Sequence, residues 1–180
     1  MEQSKKRVWW ITRTAVCIAL LILLQAATAP LGNTLVTGTA VNMMLVVAVM
    51  ANGLSSGLCV AVISPVFAKL LGIGPLWAII PLIALGNAVL VLLWRLIGGG
   101  RFRNRLAGYL VALPLAAAAK YVVLYLGVVK LAVGLLLALP QPQATVISQM
   151  FSLPQLFTAL MGGAAAILVL IPLRKALKFP

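Results

Sequence analysis

The chain has 180 residues, 64% of them apolar, and sets fourteen Lys and Arg against one acidic residue, Glu2. A water-soluble fold so poor in charge would have no surface to show its solvent, so the solvent implied is lipid. Apolar runs without Asp, Glu or His have no carboxylate to relay a proton, hold a cation or act as a general base, which argues against an enzyme and an ion-driven pump. The expected class is an all-α integral membrane protein, one polytopic domain over 1–180, that binds something and needs no cofactor or metal.

At roughly 20 apolar residues per span the length accommodates about six membrane helices. The first covers 8–27 and stops before the turn-rich Ala29-Pro30-Leu31-Gly32-Asn33. Basic residues ahead of it and Ala27-Thr28-Ala29 behind it imitate a signal peptide. The run is long and Pro30 follows, so it is read as a retained helix. The second span covers 35–52 and the third 55–71, and Gly72-Ile73-Gly74-Pro75 links tightly to a fourth over 76–97. Gly98-Gly99-Gly100 lacks the Lys-Ser/Thr pair of a phosphate loop and reads as a flexible turn.

The fifth span covers 106–128, and apolar sequence continues toward Leu137. That continuation is either an outer extension of a tilted helix or a separate interfacial helix. Pro140-Gln141-Pro142-Gln143 reads as a loop before the sixth span, 147–173. Pro65, Pro81, Pro114, Pro154 and Pro172 are expected to kink or unwind their helices. Cys17 and Cys59 lie inside apolar runs without metal-ligand spacing and read as packing residues.

Six spans put both termini in the cytoplasm, together with eleven of the fourteen basic residues. These are Lys5, Lys6, Arg7 and Arg13, then Arg95, Arg101, Arg103 and Arg105, then Arg174, Lys175 and Lys178. The distribution follows the positive-inside bias of a multi-pass protein, here in a bacterial plasma membrane. Such charges also attract anionic membrane lipid. They lack interleaved stacking aromatics, so nucleic acid is not expected as a partner.

Lys69, Lys120 and Lys130 fall outside that scheme. Lys69 and Lys130 sit where a side chain can snorkel to the outer interface. Lys120 lies about 22 Å from the inner end of its helix, after Ala116-Ala117-Ala118-Ala119 and with no acid in any span to pair with. A lysine at that depth is costly unless it snorkels, which its position makes harder here, or faces a wet cavity or a ligand. The same outer half collects Asn42, Gln149, Ser152, Gln155 and Thr158, with Asn87 near the midplane and Trp77, Tyr121 and Tyr125 as flat walls. The candidate substrate-binding set is therefore Lys120, Asn42, Asn87, Trp77, Tyr121, Tyr125, Gln149, Gln155 and Lys69, suited to a small polar ligand with a negative group. Interhelical hydrogen bonding is an equal account of Asn42 and Asn87, and interfacial anchoring of Trp77 and Tyr125.

Ala15 and Ala19 put two small residues on one face of the first helix, and Gly53/Gly57 and Gly162/Ala166 share the spacing. Such steps let helices approach closely in lipid. Ser64-Pro65, Leu71-Gly72-Ile73-Gly74-Pro75 with Ile80-Pro81 and Ala84-Leu85-Gly86-Asn87, and Gln155-Leu156-Phe157-Thr158-Ala159-Leu160 with Gly162-Gly163 add to this. Together with size, span number and topology over nearly the whole chain, these strings resemble a substrate-binding S component of the energy-coupling-factor (ECF) transporters, the vitamin-uptake branch of the ABC superfamily.

The resemblance implies a six-helix protein that captures a vitamin-like micronutrient from outside and docks on a membrane-embedded T subunit driven by two ATPase subunits. Ala15 and Ala19 match the family's docking step, and loaded S components topple in the membrane to release their ligand inside. The family's ligand residues share no single motif, so none is carried over. The Lys120 environment points to an anionic ligand, such as pantothenate, niacin or a folate-like compound. The rival expectation is a structural scaffold of the MreD-like kind, which would use the small-residue faces for assembly and hold no small molecule.

Overall fold

Hydrocarbon offers no partner for backbone N–H and C=O groups, so a chain this apolar satisfies them within helices. The computed structural model describes residues 2–74, 76–100 and 105–177, and every regular element among them is helical. Arg101, Arg103 and Lys178 of the basic scheme, and Pro75 of the third-to-fourth link, lie outside the described residues. The helices are α1 (Glu2–Thr28), α2 (Thr34–Asn52), α3 (Leu54–Leu70), α4 (Ile80–Leu93), α5 (Arg105–Leu124), α6 (Gln141–Met150) and α7 (Leu153–Leu177).

Among the described residues, five helical stretches are long and apolar enough to cross a membrane: Glu2–Leu31, Thr34–Asn52, Trp77–Gly98, Leu106–Leu136 and Gln141–Leu173. Helix α3, with 17 residues, is shorter than these. Large apolar side chains such as Leu23, Leu110 and Leu168 face outward. An all-helical bundle with an apolar exterior is the architecture of a multi-pass membrane protein.

Helix α2 is the axis of the bundle. Its residues from Met44 to Met50 are all buried, and it packs on α1, α3, α4 and, most extensively, α7. Asn33 caps it by accepting from the Leu35 backbone N–H at 2.9 Å, and Gly53, at φ 92°, turns the chain into α3 in one residue. Helix α1 buries a single stripe, Thr14, Cys17, Leu21 and Gln25, at the three-and-four spacing of one helix face. Thr14 Oγ1 ties it to Ser56 Oγ on α3 at 2.9 Å, and Trp10 Nε1 donates to Ser55 Oγ at 3.1 Å. Cys17 packs in this seam, where its sulfur accepts from Asn52 Nδ2 at 3.1 Å.

The second half departs from the expected boundaries. The fifth segment is one rod, because α5 runs on through Tyr125–Leu136 with wider, i→i+5 hydrogen bonding. It is therefore an extension and not a separate interfacial helix. The expected Pro140–Gln143 loop is instead the first turn of α6, where Pro142 lacks only an N–H that has no helical acceptor anyway. The expected sixth span breaks at Phe151–Ser152, and Pro154 opens α7. Pro81 likewise lies in the first turn of α4, so neither proline kinks a helix. Pro65, Pro114 and Pro172 do lie within helices.

The small-residue steps divide into two kinds. A Cβ on Gly162 would lie 2.6 Å from Asn42 Cβ and 2.7 Å from the Thr39 carbonyl oxygen, so α7 lies almost backbone-to-backbone on α2. A Cβ on Gly57 would meet Val49 Cβ at 2.6 Å and Val91 Cγ1 at 2.8 Å. These glycines serve packing inside the bundle, whereas Ala15 and Ala19 are exposed on the outer side of α1. Gly162→Val should lower stability in detergent by about 1–3 kcal/mol through overpacking. Ala15→Val should change it by less than about 0.5 kcal/mol. Thermal unfolding followed by circular dichroism reads both.

Candidate functional site

Small residues bring Lys120 inward. On α5, Ala112, Ala116 and Ala117 are fully buried, and Lys120 continues their stripe one turn before Leu124. With only 3% of its surface exposed, Lys120 does not snorkel. A buried ammonium costs several kcal/mol unless other groups replace its water. Two amide oxygens do so: Nζ donates to Asn42 Oδ1 at 2.6 Å and to Asn87 Oδ1 at 2.7 Å. Hydrogen bonds to a charged group contribute about 1.5–3 kcal/mol each.

A lysine only donates, so both amides turn their oxygens toward it and their nitrogens away. Asn42 Nδ2 donates to Thr158 Oγ1 at 3.2 Å, and Thr158 Oγ1 donates to the Gln155 carbonyl at 3.2 Å. Asn87 Nδ2 reaches Ser64 Oγ and the Ala61 carbonyl, each at 3.4 Å. One polar network thus joins α2, α3, α4, α5 and α7, and its side chains Asn42, Ser64, Asn87, Lys120 and Thr158 are all buried. Gly38 makes room for it, since a Cβ there would sit 2.9 Å from Thr158 Cγ2.

Above this network lies a cavity of about 380 Å³. Its wall comes from the α1–α2 connection (Gln25, Gly32, Thr37), the chain after α3 (Leu71 to Gly74), the start of α4 (Ile80, Ile83) and the α6–α7 break (Met150, Phe151, Gln155). Asn42, Ser64, Asn87 and Lys120 also line it. The broken helices and short links therefore form the walls, where non-helical backbone is tolerated in a membrane protein. This end of the bundle is opposite the one where the basic start of α1 meets the α2–α3 turn through Trp10 and Ser55.

Of the residues singled out from sequence, Lys120, Asn42, Asn87 and Gln155 come together here. The others do not. Trp77 is 55% exposed, and Tyr121 and Tyr125 stack on each other at 5.8 Å away from the cavity wall. Lys130 Nζ lies 5.6 Å over the Tyr125 ring. Gln149 is exposed and lines a separate shallow groove between α6 and α7. Lys69 is half-buried and donates to the Gly74 carbonyl at 3.4 Å, which pins the link that walls the cavity without lining it. The depth estimate left the azimuth of these residues around each helix undetermined, and azimuth decides which side chains converge.

Five polar contributors were not picked out as ligand residues: Gln25, Asn33, Thr34, Thr37 and Ser64. Gln25 had a signal in the sequence. It ends the Thr14, Cys17, Leu21 stripe, so an amide occupies a helix-packing position of a membrane segment. Its Oε1 is buried and has no hydrogen-bond partner among the described residues.

Removing one acceptor from Lys120 should be costly. Asn42→Leu and Asn87→Leu are each expected to lower stability by about 1–3 kcal/mol, the penalty of an unsatisfied buried group. Combining either with Lys120→Met should cost less than the sum of the two single changes, because the leftover charge is gone. Thermal unfolding of the double-mutant cycle tests this, and strictly additive losses would contradict direct coupling.

No protein-family model, curated protein or solved structure matches the chain.

Proposed function

We propose that this chain is the membrane-embedded, substrate-binding subunit of an ECF-type ABC transporter, an S component that captures a small, vitamin-like anion from outside. The observation that carries this reading is the cavity of about 380 Å³ with Lys120 at its base. It combines an apolar wall with a few convergent polar groups, the usual form of a small-molecule site, at the low end of the usual size range of about 300–1,000 Å³. A lysine held at such cost beside an open volume favours a ligand site over a scaffold.

In this reading α3 is a short sixth span, and both termini are cytoplasmic in a bacterial plasma membrane. The positive-inside bias supports that orientation, because the basic start of α1 lies at the end opposite the cavity. The cavity then faces outside, as uptake requires. Energy comes from partners: a T subunit in the membrane and two ATPase subunits. The chain itself is not an enzyme, in keeping with apolar runs that contain no Asp, Glu or His. Helix α1 offers the docking face, with Ala15 and Ala19 exposed and only one stripe held to the bundle. Toppling of the loaded subunit against the T subunit would carry the ligand inward.

Binding and coupling should separate by mutation. Lys120→Ala is expected to weaken ligand binding about tenfold or more, equivalent to about 1.4 kcal/mol. Ala15→Trp or Ala19→Trp should abolish uptake in cells while leaving binding to the isolated protein intact. Titration calorimetry and a cellular uptake assay read the two effects. Unchanged affinity in Lys120→Ala removes that residue from the site, and uptake that depends on neither surface favours a scaffold.

A further inference from the structure

The charges and unmet hydrogen bonds of the cavity restrict what can occupy it. Lys120 is the one charged side chain among the described lining residues. Two of its three N–H bonds go to Asn42 and Asn87, and the third has no acceptor among the described residues. A cation would face this ammonium with no acid nearby. A doubly charged anion would bring one charge that nothing in the wall neutralises, at a cost of several kcal/mol.

The body of the occupant is also constrained. Aliphatic side chains such as Val41, Leu71, Ile73, Ile80 and Ile83 make up much of the wall, and Phe151 is the one aromatic lining residue described. The wall suits an aliphatic chain better than a flat ring. Gln25 then adds a polar demand at the α1–α2 connection. It is 3% exposed, and its Oε1 lacks a partner. The nearest hydroxyl along α1, that of Thr28, is spent on the Leu24 carbonyl at 2.7 Å. A buried oxygen left unpaired costs about 1–3 kcal/mol, so a donor from the occupant would be strongly selected.

We propose that the occupant is a singly charged anion with an aliphatic body and an N–H or O–H donor. Lys120 holds its anionic group, and the Gln25 carboxamide, reorienting toward the cavity, reads the donor. This rests on the binding-subunit reading above and narrows it: thiamine-like cations, folate-like dianions and phosphorylated compounds are excluded.

The test is a thermal-shift and calorimetric titration of the purified full chain with matched probes at millimolar concentration. N-butyrylglycine carries one charge and one N–H, and its methyl ester lacks the charge. N-butyrylaspartate carries two charges, N-(2-aminoethyl)butyramide carries a positive one, and butyryloxyacetate replaces the N–H with oxygen. Stabilisation is expected from N-butyrylglycine and not from the ester, the dianion or the cation. Butyryloxyacetate should bind the wild type about tenfold more weakly than N-butyrylglycine, equivalent to about 1.4 kcal/mol.

That preference should vanish in Gln25→Leu, with Gln25→Met as a second variant should the first fail to fold. Equal binding of the dianion or cation, an undiminished preference in the Gln25 variants, or no response to N-butyrylglycine overturns the assignment. A protein that ignores these probes but retains another small molecule in native mass spectrometry loses this assignment and keeps its role as a binding subunit. A protein that is empty and unresponsive loses both.

Discussion

An amine buried in a bundle without acids has to be solvated by something neutral, and much of the structure is arranged around that requirement. Lys120 is held by the amide oxygens of Asn42 and Asn87 at 2.6 and 2.7 Å. Those amides in turn need acceptors for their own nitrogens, which Thr158, Ser64 and the Ala61 carbonyl supply. Each step recruits another helix, so five helices are registered around one side chain. Interhelical hydrogen bonds in membranes are individually modest, averaging about 0.6 kcal/mol in measured cases. Their value here is register, since the two amides fix where α2 and α4 lie against α5.

Close packing permits the network, and broken helices open the cavity beside it. Gly162 and Gly38 let α7 approach α2 until Thr158 meets Asn42, and buried alanines do the same for α5. At the other end of the network the regular packing stops. The α1–α2 connection, the link after α3 and the Phe151–Ser152 break leave room that side chains do not fill. Helix α1, held by one stripe and a few hydroxyl contacts, belongs to the least buried of the five membrane-length stretches. A loosely held helix carrying exposed Ala15 and Ala19 suits a surface that engages and releases a partner.

Much of this was legible in the residues alone, and the failures have physical causes. The apolar runs gave α2 and α3 to within one residue, whereas α1 begins six residues before its expected span and α4 is four residues shorter than expected at each end. Three prolines misled. Pro142, Pro154 and Pro81 start helices, and position within the first turn, which turns on local acceptors, separates a starter from a breaker. For the site, the missing acid singled out Lys120, and depth gathered Asn42 and Asn87 around it. Trp77, Tyr121, Tyr125 and Gln149 were grouped with them by depth and lie elsewhere, because which way a helix faces depends on its neighbours. Gln25 was overlooked although its stripe is visible, since a lone amide near a helix end resembles an interfacial residue.

The central claim is that the space beside Lys120 holds a small molecule, and native mass spectrometry of the detergent-purified protein tests it most directly. One small molecule per chain, released on denaturation and absent from Lys120→Ala, is the result predicted. A wild-type protein that is empty as purified, and whose unfolding temperature no vitamin or small carboxylate raises, would contradict it.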